Sequence, residues 1–349
     1  MKDVIYIYPC FNNYELTIGE CSEFILRNKD KVVVVDDKSE PEEVKKGLSF
    51  CKKNGVTFLI NKGKGIQSVI QTVIDSVEIK SKWVIVMQQD VKFPNEAMQV
   101  KCEARLKKIV EKNYPIGAVG FQNYVLDSHY NDNPPVLDAS KSTLAGALGV
   151  FFLSKKEYFR KQTFSYRLIE WLSASKLLSK FTRKFRHFVI FNRVFAPKTY
   201  KNFYSIASKY QGLSSIQLPI WSVVAISVEE WKKYINLDKK FIFHLWFVDI
   251  AMQFFMSNRH VALDTEISII NDINVKEKYG QLGSHAEGKI KNSNKMEKYG
   301  DHLRIFEDKW GFDYEYIYEN KNLKFPNSTV ISEHLRSNPN NGPIKKFIL

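Results

Sequence analysis

Apolar runs alternate with helical spacings over the first ninety residues, a pattern that predicts repeated strand–helix units. Val4-Ile5-Tyr6-Ile7-Tyr8 reads as a strand, and residues 15–28 carry Leu16, Cys21, Phe24 and Ile25 at helical spacing. A β-branched run at 31–35 predicts a second strand. Residues 41–54 read as a helix with Pro41 in its first turn and Asn54-Gly55 ending it. A third strand is predicted at 56–60, an amphipathic helix at 65–77 and a fourth strand at 83–87. Strands that are apolar almost throughout, with helices between them, imply a parallel sheet covered on both faces. Beyond it the pattern predicts a helix near 95–113, a strand at 116–121, a Pro- and Asp-rich loop at 127–138 and a strand at 144–153. An apolar pattern returns at 216–227. Helical residues 228–234 follow, then a helix starting near His244 that carries Asp249. The tail, 274–349, is polar, with a helix near 301–310, and the chain shows no internal repeat.

In such a sheet, ligands bind beyond the carboxyl ends of the strands. The polar clusters at those ends are Pro9-Cys10-Phe11-Asn12, Asp36-Asp37-Lys38-Ser39, Asn61-Lys62-Gly63-Lys64-Gly65 and Gln88-Gln89-Asp90. Topology alone brings all four to one edge. A carboxylate pair there can accept hydrogen bonds from a base or ribose, and an acid one strand away can hold a divalent cation on a diphosphate. A lone Asp-Asp pair is also a common turn and helix cap.

Composition narrows the picture. Of 349 residues, 44% are hydrophobic and 14% aromatic, enough for a well-filled core. The four cysteines are scattered, without metal or disulfide spacing, which suits a reducing compartment and buried thiols. No basic region leads into a long apolar stretch at the N-terminus, and no window approaches the ~18 apolar residues of a membrane span. The expectation is a cytoplasmic protein. The net charge of +14 is concentrated: residues 155–209 hold fourteen Lys/Arg against two acids, Glu157 and Glu170.

Taken together, Pro9-x-Phe11-Asn12, Val35-Asp36-Asp37-x-Ser39, Asn61-x-Gly63 and Met87-Gln88-Gln89-Asp90 resemble family 2 of the glycosyltransferases, the inverting nucleotide-sugar enzymes of GT-A fold. The resemblance covers residues 1–125 and returns over 216–272. There it rests on Trp221-Ser222-Val223-Val224-Ala225-Ile226-Ser227, Trp231 and Phe247-Val248-Asp249-Ile250, while Phe306-x-x-Lys309-Trp310-Gly311 is similar to an ending found in some bacterial members. It implies an α/β fold of GT-A type: a mostly parallel Rossmann-like sheet flanked by helices, with a basic helical insertion and a C-terminal helical extension. The nucleotide-sugar half would span 1–125 and the acceptor half 126–155 and 216–272. The insertion would span 156–215 and the extension 273–349.

The resemblance further implies that Asp36 and Asp37 contact the base or ribose and that Pro9 and Asn12 line the base pocket. Lys64 would lie near the phosphates, and Ser39, Asn61, Gly63, Gln88 and Gln89 would belong to the same donor site. Asp90 would be the last acid of the metal motif, holding Mg2+ or Mn2+. Gln88 stands where that motif has its first acid, and a neutral amide oxygen is a weaker ligand than a carboxylate. The second metal ligand would be Asp272 or His285. Asp249 would be the general base that deprotonates the acceptor hydroxyl. The implied partners are a UDP- or dTDP-sugar donor and a glycan or lipid-linked glycan acceptor of a bacterial surface polysaccharide.

Within the basic segment, residues 166–191 place Leu168, Leu172, Leu178, Phe181, Phe185 and Phe188 on one helical face, with Lys and Arg around it. Such a helix suits an anionic membrane surface, placing the enzyme peripherally on the inner face of the cell membrane. A nucleic-acid-binding protein is the rival from another class, yet no nucleic-acid module is recognisable and no such partner is expected. A nicotinamide-dependent oxidoreductase fails at the first turn, where Pro9-Cys10-Phe11-Asn12-Asn13 lacks the glycine fingerprint of a dinucleotide site. A catalytically weak or inactive GT-A relative stays open through Gln88.

Overall fold

The computed structural model describes residues 3–76, 81–89, 91–126, 212–216, 223–242, 245–272, 304–306, 308–310 and 346–349. The predicted alternation forms over the first ninety residues: β1 (Val4–Cys10), α1 (Tyr14–Arg27), β2 (Val32–Asp36), α2 (Pro41–Asn54), β3 (Thr57–Ile60), α3 (Ile66–Ile74) and β4 (Trp83–Met87). β1 lies parallel to β2 on one side and to β4 on the other, and β2 is parallel to β3. β2 and β4 are buried along their whole length because both faces are covered. Ile5, Ile7, Val33, Val35, Val84 and Val86 point to one face, where Val69, Ile70 and Val73 of α3 pack. The alternate residues Tyr6, Tyr8, Val32, Val34, Trp83 and Ile85 meet Phe24 and Ile25 of α1 on the other.

Beyond β4 come β5 (Val91–Lys92), α4 (Glu96–Glu111), β6 (Ile116–Leu126), β7 (Leu213–Ile216), β8 (Val223–Ser227), α5 (Val228–Tyr234), α6 (Trp246–Met256), β9 (His260–Asp272) and β10 (Lys346–Phe347). The sheet runs β10-β7-β9-β6-β8-β4-β1-β2-β3, with β5 paired to β9. It is therefore α/β, parallel through its first half and mixed beyond: β8 is antiparallel to β4 and β6, and β9 is parallel to β6. α6 packs on the same face as α3, through Ile250, Met252 and Phe254.

Three features differ from the sequence expectation. The sheet takes in residues 213–215, which the resemblance assigned to the insertion, and it takes in β10 from the C-terminal extension. Phe347 of β10 is buried against Tyr114 and His260. The long strand β9 had no counterpart in the pattern, because Asp264-Thr265-Glu266 interrupts its apolar run. That interruption is a bulge: Phe121 pairs with Asp264 and the next residue of β6, Gln122, pairs with Ser268. Arg105 of α4 fills it, contacting the Asp264 carboxylate at 2.5 and 3.0 Å and Glu266 at 3.1 Å.

The predicted strand at 144–153, the amphipathic stretch at 166–191, Trp221, Asp90 and His285 lie outside the described residues. All four cysteines are buried and unbridged. No helix among the described residues is long and apolar enough to cross a membrane.

Candidate active site

The ends of β1, β2 and β3 are stitched together by backbone hydrogen bonds, Asp37 N–H to the Cys10 carbonyl (2.7 Å) and Asn61 N–H to the Asp36 carbonyl (2.8 Å). The loops beyond them are cross-linked as well. Asn12, held at φ 53°, donates its backbone N–H to Ser39 Oγ and accepts the N–H of Glu40 on its side-chain oxygen. Asp36 is buried and accepts from Tyr14 Oη (2.9 Å) and from the Ser39 N–H (3.0 Å), so it anchors the turn after β2.

Asp37 is the more telling acid. Its residue exposure is 1%, and its carboxylate accepts from Asn61 Nδ2 at 2.6 Å and from the Gly65 N–H at 2.9 and 3.0 Å. Burial raises its pKa, against the pull of the Asn61 and Gly65 hydrogen bonds and of the Lys64 charge. Gly65 has φ 85°, and a Cβ there would meet the Ile242 carbonyl oxygen at 2.4 Å. Glycine is required at this position both for its backbone and for its closeness to a neighbour. Asn61 is buried too, and its side-chain oxygen accepts from Gly63 N–H, Ser68 Oγ and Thr72 Oγ1.

The solvent side of this edge carries Lys38, Lys62, Gly63, Lys64 and Gln88, all exposed, with Asn12 and Pro9 half-buried. A cationic rim above two buried carboxylates can receive a phosphate group, whereas Asp36 and Asp37, expected to contact the base or ribose, have their oxygens turned to partners within the chain. Gln89 turns the other way. Its side chain is buried and donates to Thr17 Oγ1 at 2.7 Å, bracing α1. Asn61 and Gln89 therefore shape the edge by holding its loops.

Asp90, the expected metal ligand, lies outside the described residues, but the pairing of its neighbour is described. Val91, the residue after Asp90, pairs with Asn271, and Lys92 pairs with Ile270. Asp272, the last residue of β9, is thus carried to the strand end beside the β4–β5 turn. Among the described residues no three His, Cys, Asp or Glu side chains converge on one point.

Asp249 sits in the first turn of α6, after Leu245 in the left-handed region (φ 58°), and is completely buried. The sequence places apolar Trp246, Phe247 and Ile250 around it, yet four polar groups converge on its carboxylate. Gln67 Nε2 (3.1 Å) and Gln253 Nε2 (2.9 Å) donate to one oxygen. Trp310 Nε1 (3.0 Å) and Lys309 Nζ (2.7 Å) reach the other. Lys309 also pairs with Asp238 at 3.2 Å. A buried carboxylate needs such partners, since an unpaired one is strongly disfavoured.

Gln67, Asp238, Lys309 and Trp310 received no role from the sequence. Lys309-Trp310 did stand in the Phe306-x-x-Lys309-Trp310-Gly311 motif, which was the available signal. Gln67 had none, being 182 residues from Asp249.

No protein-family model matches the chain, and no curated protein matches it. Among solved structures it is similar to the mannosyltransferase PcManGT from Pyrobaculum calidifontis in complex with GDP-Man and Mn2+. The identity is 12% and the TM-score 0.40, over 77% of this chain and 56% of that one. It is similar also to GalNAc-T7 with UDP, GalNAc and Mn2+, at 10% identity and a TM-score of 0.44, over 97% of this chain and 58% of that one. The chain spans less than two thirds of the length of either protein.

Proposed function

We propose that the protein is an inverting glycosyltransferase that moves a sugar from a UDP- or dTDP-sugar to a hydroxyl of a glycan acceptor. The observation that carries this reading is the strand-end edge, where Asp37 is clamped by Asn61 and Gly65 beneath a rim of Lys38, Lys62 and Lys64. Its chemistry suits a nucleoside diphosphate: exposed lysines for the phosphates, and buried carboxylates that brace the loops facing the nucleoside. The sequence resemblance to family 2 points the same way. In the reaction the acceptor oxygen bonds to the anomeric carbon as the bond from that carbon to the diphosphate breaks. The nucleoside diphosphate leaves, and the hydroxyl proton passes to the base. Mg2+ or Mn2+ would neutralise charge on the leaving diphosphate, held by Asp90 with Asp272 or His285; the β5–β9 register supports Asp272 by bringing its strand end next to Val91.

Asp249 is the proposed base. To take a proton it must give up one of its four partners, and the contact with Lys309, whose side chain keeps 27% of its surface, is the one open to solvent. The saturation of that carboxylate favours a second reading, in which Asp249 is an anchor that docks the C-terminal segment on the acceptor half. Asp249→Asn separates them. A base leaves nucleotide binding intact and transfer abolished, whereas an anchor gives transfer that persists in the folded fraction.

The acceptor in this proposal is lipid-linked, and the basic segment meets the anionic inner face of the cell membrane. Each Lys or Arg near such a surface contributes about 1 kcal/mol. Co-sedimentation with anionic but not neutral vesicles, reversed by salt, is the expected result. Binding to neither sinks the membrane part alone. For the donor, a thermal-shift panel of UDP-, dTDP- and GDP-sugars with Mg2+ or Mn2+ should show stabilisation by one nucleotide class. A flat response across the panel counts against the donor site.

A further inference from the structure

The donor edge and Asp249 belong to different halves of the chain, yet one side chain joins them. Gln67 is the second residue of α3 and 3% exposed. Its amide nitrogen donates to Asp249 Oδ2 and to the Trp246 carbonyl, both at 3.1 Å. Its amide oxygen accepts the Asp238 N–H at 3.2 Å. Two residues earlier in the same helix start, the Gly65 N–H is shared between both oxygens of Asp37. The Ile66 N–H is bonded to the Ile242 carbonyl, which also fills the space a side chain at 65 would need.

A helix turn is rigid and a packed interior does not deform continuously. A shift of the Asp37–Gly65 turn therefore carries Gln67 with it. Gln67 holds Asp249 together with the two backbone groups that flank it in space, at Trp246 and Asp238. The ammonium of Lys309 bridges Asp238 to Asp249 on the far side and closes the ring of contacts.

We propose that Gln67 is a positioning residue that couples occupancy of the donor edge by a nucleoside diphosphate to the orientation of the Asp249 carboxylate. This rests on the glycosyltransferase reading and deepens it. Donor binding moves the start of α3, Gln67 turns the carboxylate, and the contacts to Trp310 and Lys309 on its other oxygen change in response.

Trp310 offers a direct reporter, because its indole N–H is bonded to the oxygen of Asp249 that Gln67 does not touch. The experiment uses the full chain labelled with 5-fluorotryptophan, the Trp310 signal being assigned with Trp310→Phe. UDP, dTDP and GDP are titrated with Mn2+, and fluorine NMR is recorded alongside calorimetry. In the wild type, the nucleotide that binds should move the Trp310 signal. In Gln67→Met and in the near-isosteric Gln67→Glu, the same nucleotide should bind within about threefold of wild-type affinity while that movement is lost. A role for Gln67 in packing alone would leave the response unchanged in whichever variant folds, as reported by the signal of the core residue Trp83. A wild-type signal that does not move on binding, or one that moves equally in the variants, overturns the coupling and leaves the donor site standing. No nucleotide binding by the wild type removes both.

Discussion

Asp249 and Asp264 are both buried carboxylates, and their partners make them behave differently. Around Asp249, Gln67 and Gln253 present amide N–H groups whose oxygens are already held by the backbone N–H groups of Asp238 and Asn236. Neither amide can flip without losing that bond. In Asp249→Asn the new amide nitrogen would therefore face donors, or displace the bonds to Lys309 and Trp310. The expected cost is about 1–3 kcal/mol in urea melts, alongside loss of sugar transfer. Asp264 has a single dominant partner, Arg105. Burial raises the pKa of Asp264 above 3.8, and the Arg105 hydrogen bonds and charge hold it back. The folded chain thus binds more protons than the unfolded one in the window above 3.8, and stability falls as pH rises through it. Arg105→Met leaves the carboxylate buried without its cation, which should cost about 3–5 kcal/mol at neutral pH. Without Arg105 the folded value climbs further, so the deficit should shrink as the pH falls towards about 4. Urea melts at several pH values check this, and a deficit independent of pH would mean that Asp264 is not the group responsible.

At the scale of elements, the strand ends explain what the sequence could and could not reveal. β1, β2 and β4 were legible because strands buried on both faces are apolar without interruption, and the helices between them keep a helical period; β3, partly exposed at the sheet edge, was legible from its short apolar run alone. Asp37 and Gly65 were legible as members of polar clusters at strand ends, although their bond to each other was not. β9 escaped because its polar break at 264–266 serves Arg105, a residue on another element. β10 is two residues long, too short for any period. Gln67 was invisible because it acts across a sequence separation that no local pattern spans. The Asp37–Gly65 turn gives a prediction at this scale. Gly65→Ala puts a Cβ 2.4 Å from the Ile242 oxygen at φ 85° and ψ 168°, and the backbone alone should cost about 1–3 kcal/mol. Nucleotide affinity should fall with it, since the Gly65 N–H holds Asp37. Calorimetry showing wild-type affinity in this variant would disconnect the turn from the donor site.

Across the whole molecule, two halves of unlike sheet pairing share one side of the sheet. The parallel half, β4-β1-β2-β3, ends in loops that can receive a nucleoside diphosphate. The mixed half carries α6 on the face where α3 also packs, so the acid of one half lies within reach of a helix from the other. The C-terminal region completes the mixed half, through Lys309 and Trp310 on Asp249 and through β10 on the sheet edge. In the proposed function the strand-end edge is a nucleotide-sugar donor site. Amide hydrogen exchange of the full chain, with and without UDP, dTDP or GDP and Mn2+, tests it most directly. The expected result is slowed exchange, with one nucleotide, in peptides covering residues 9–13, 36–40 and 61–66, and a smaller effect at 245–250. Exchange unchanged at those strand ends with every nucleotide, or slowed only elsewhere, would contradict it.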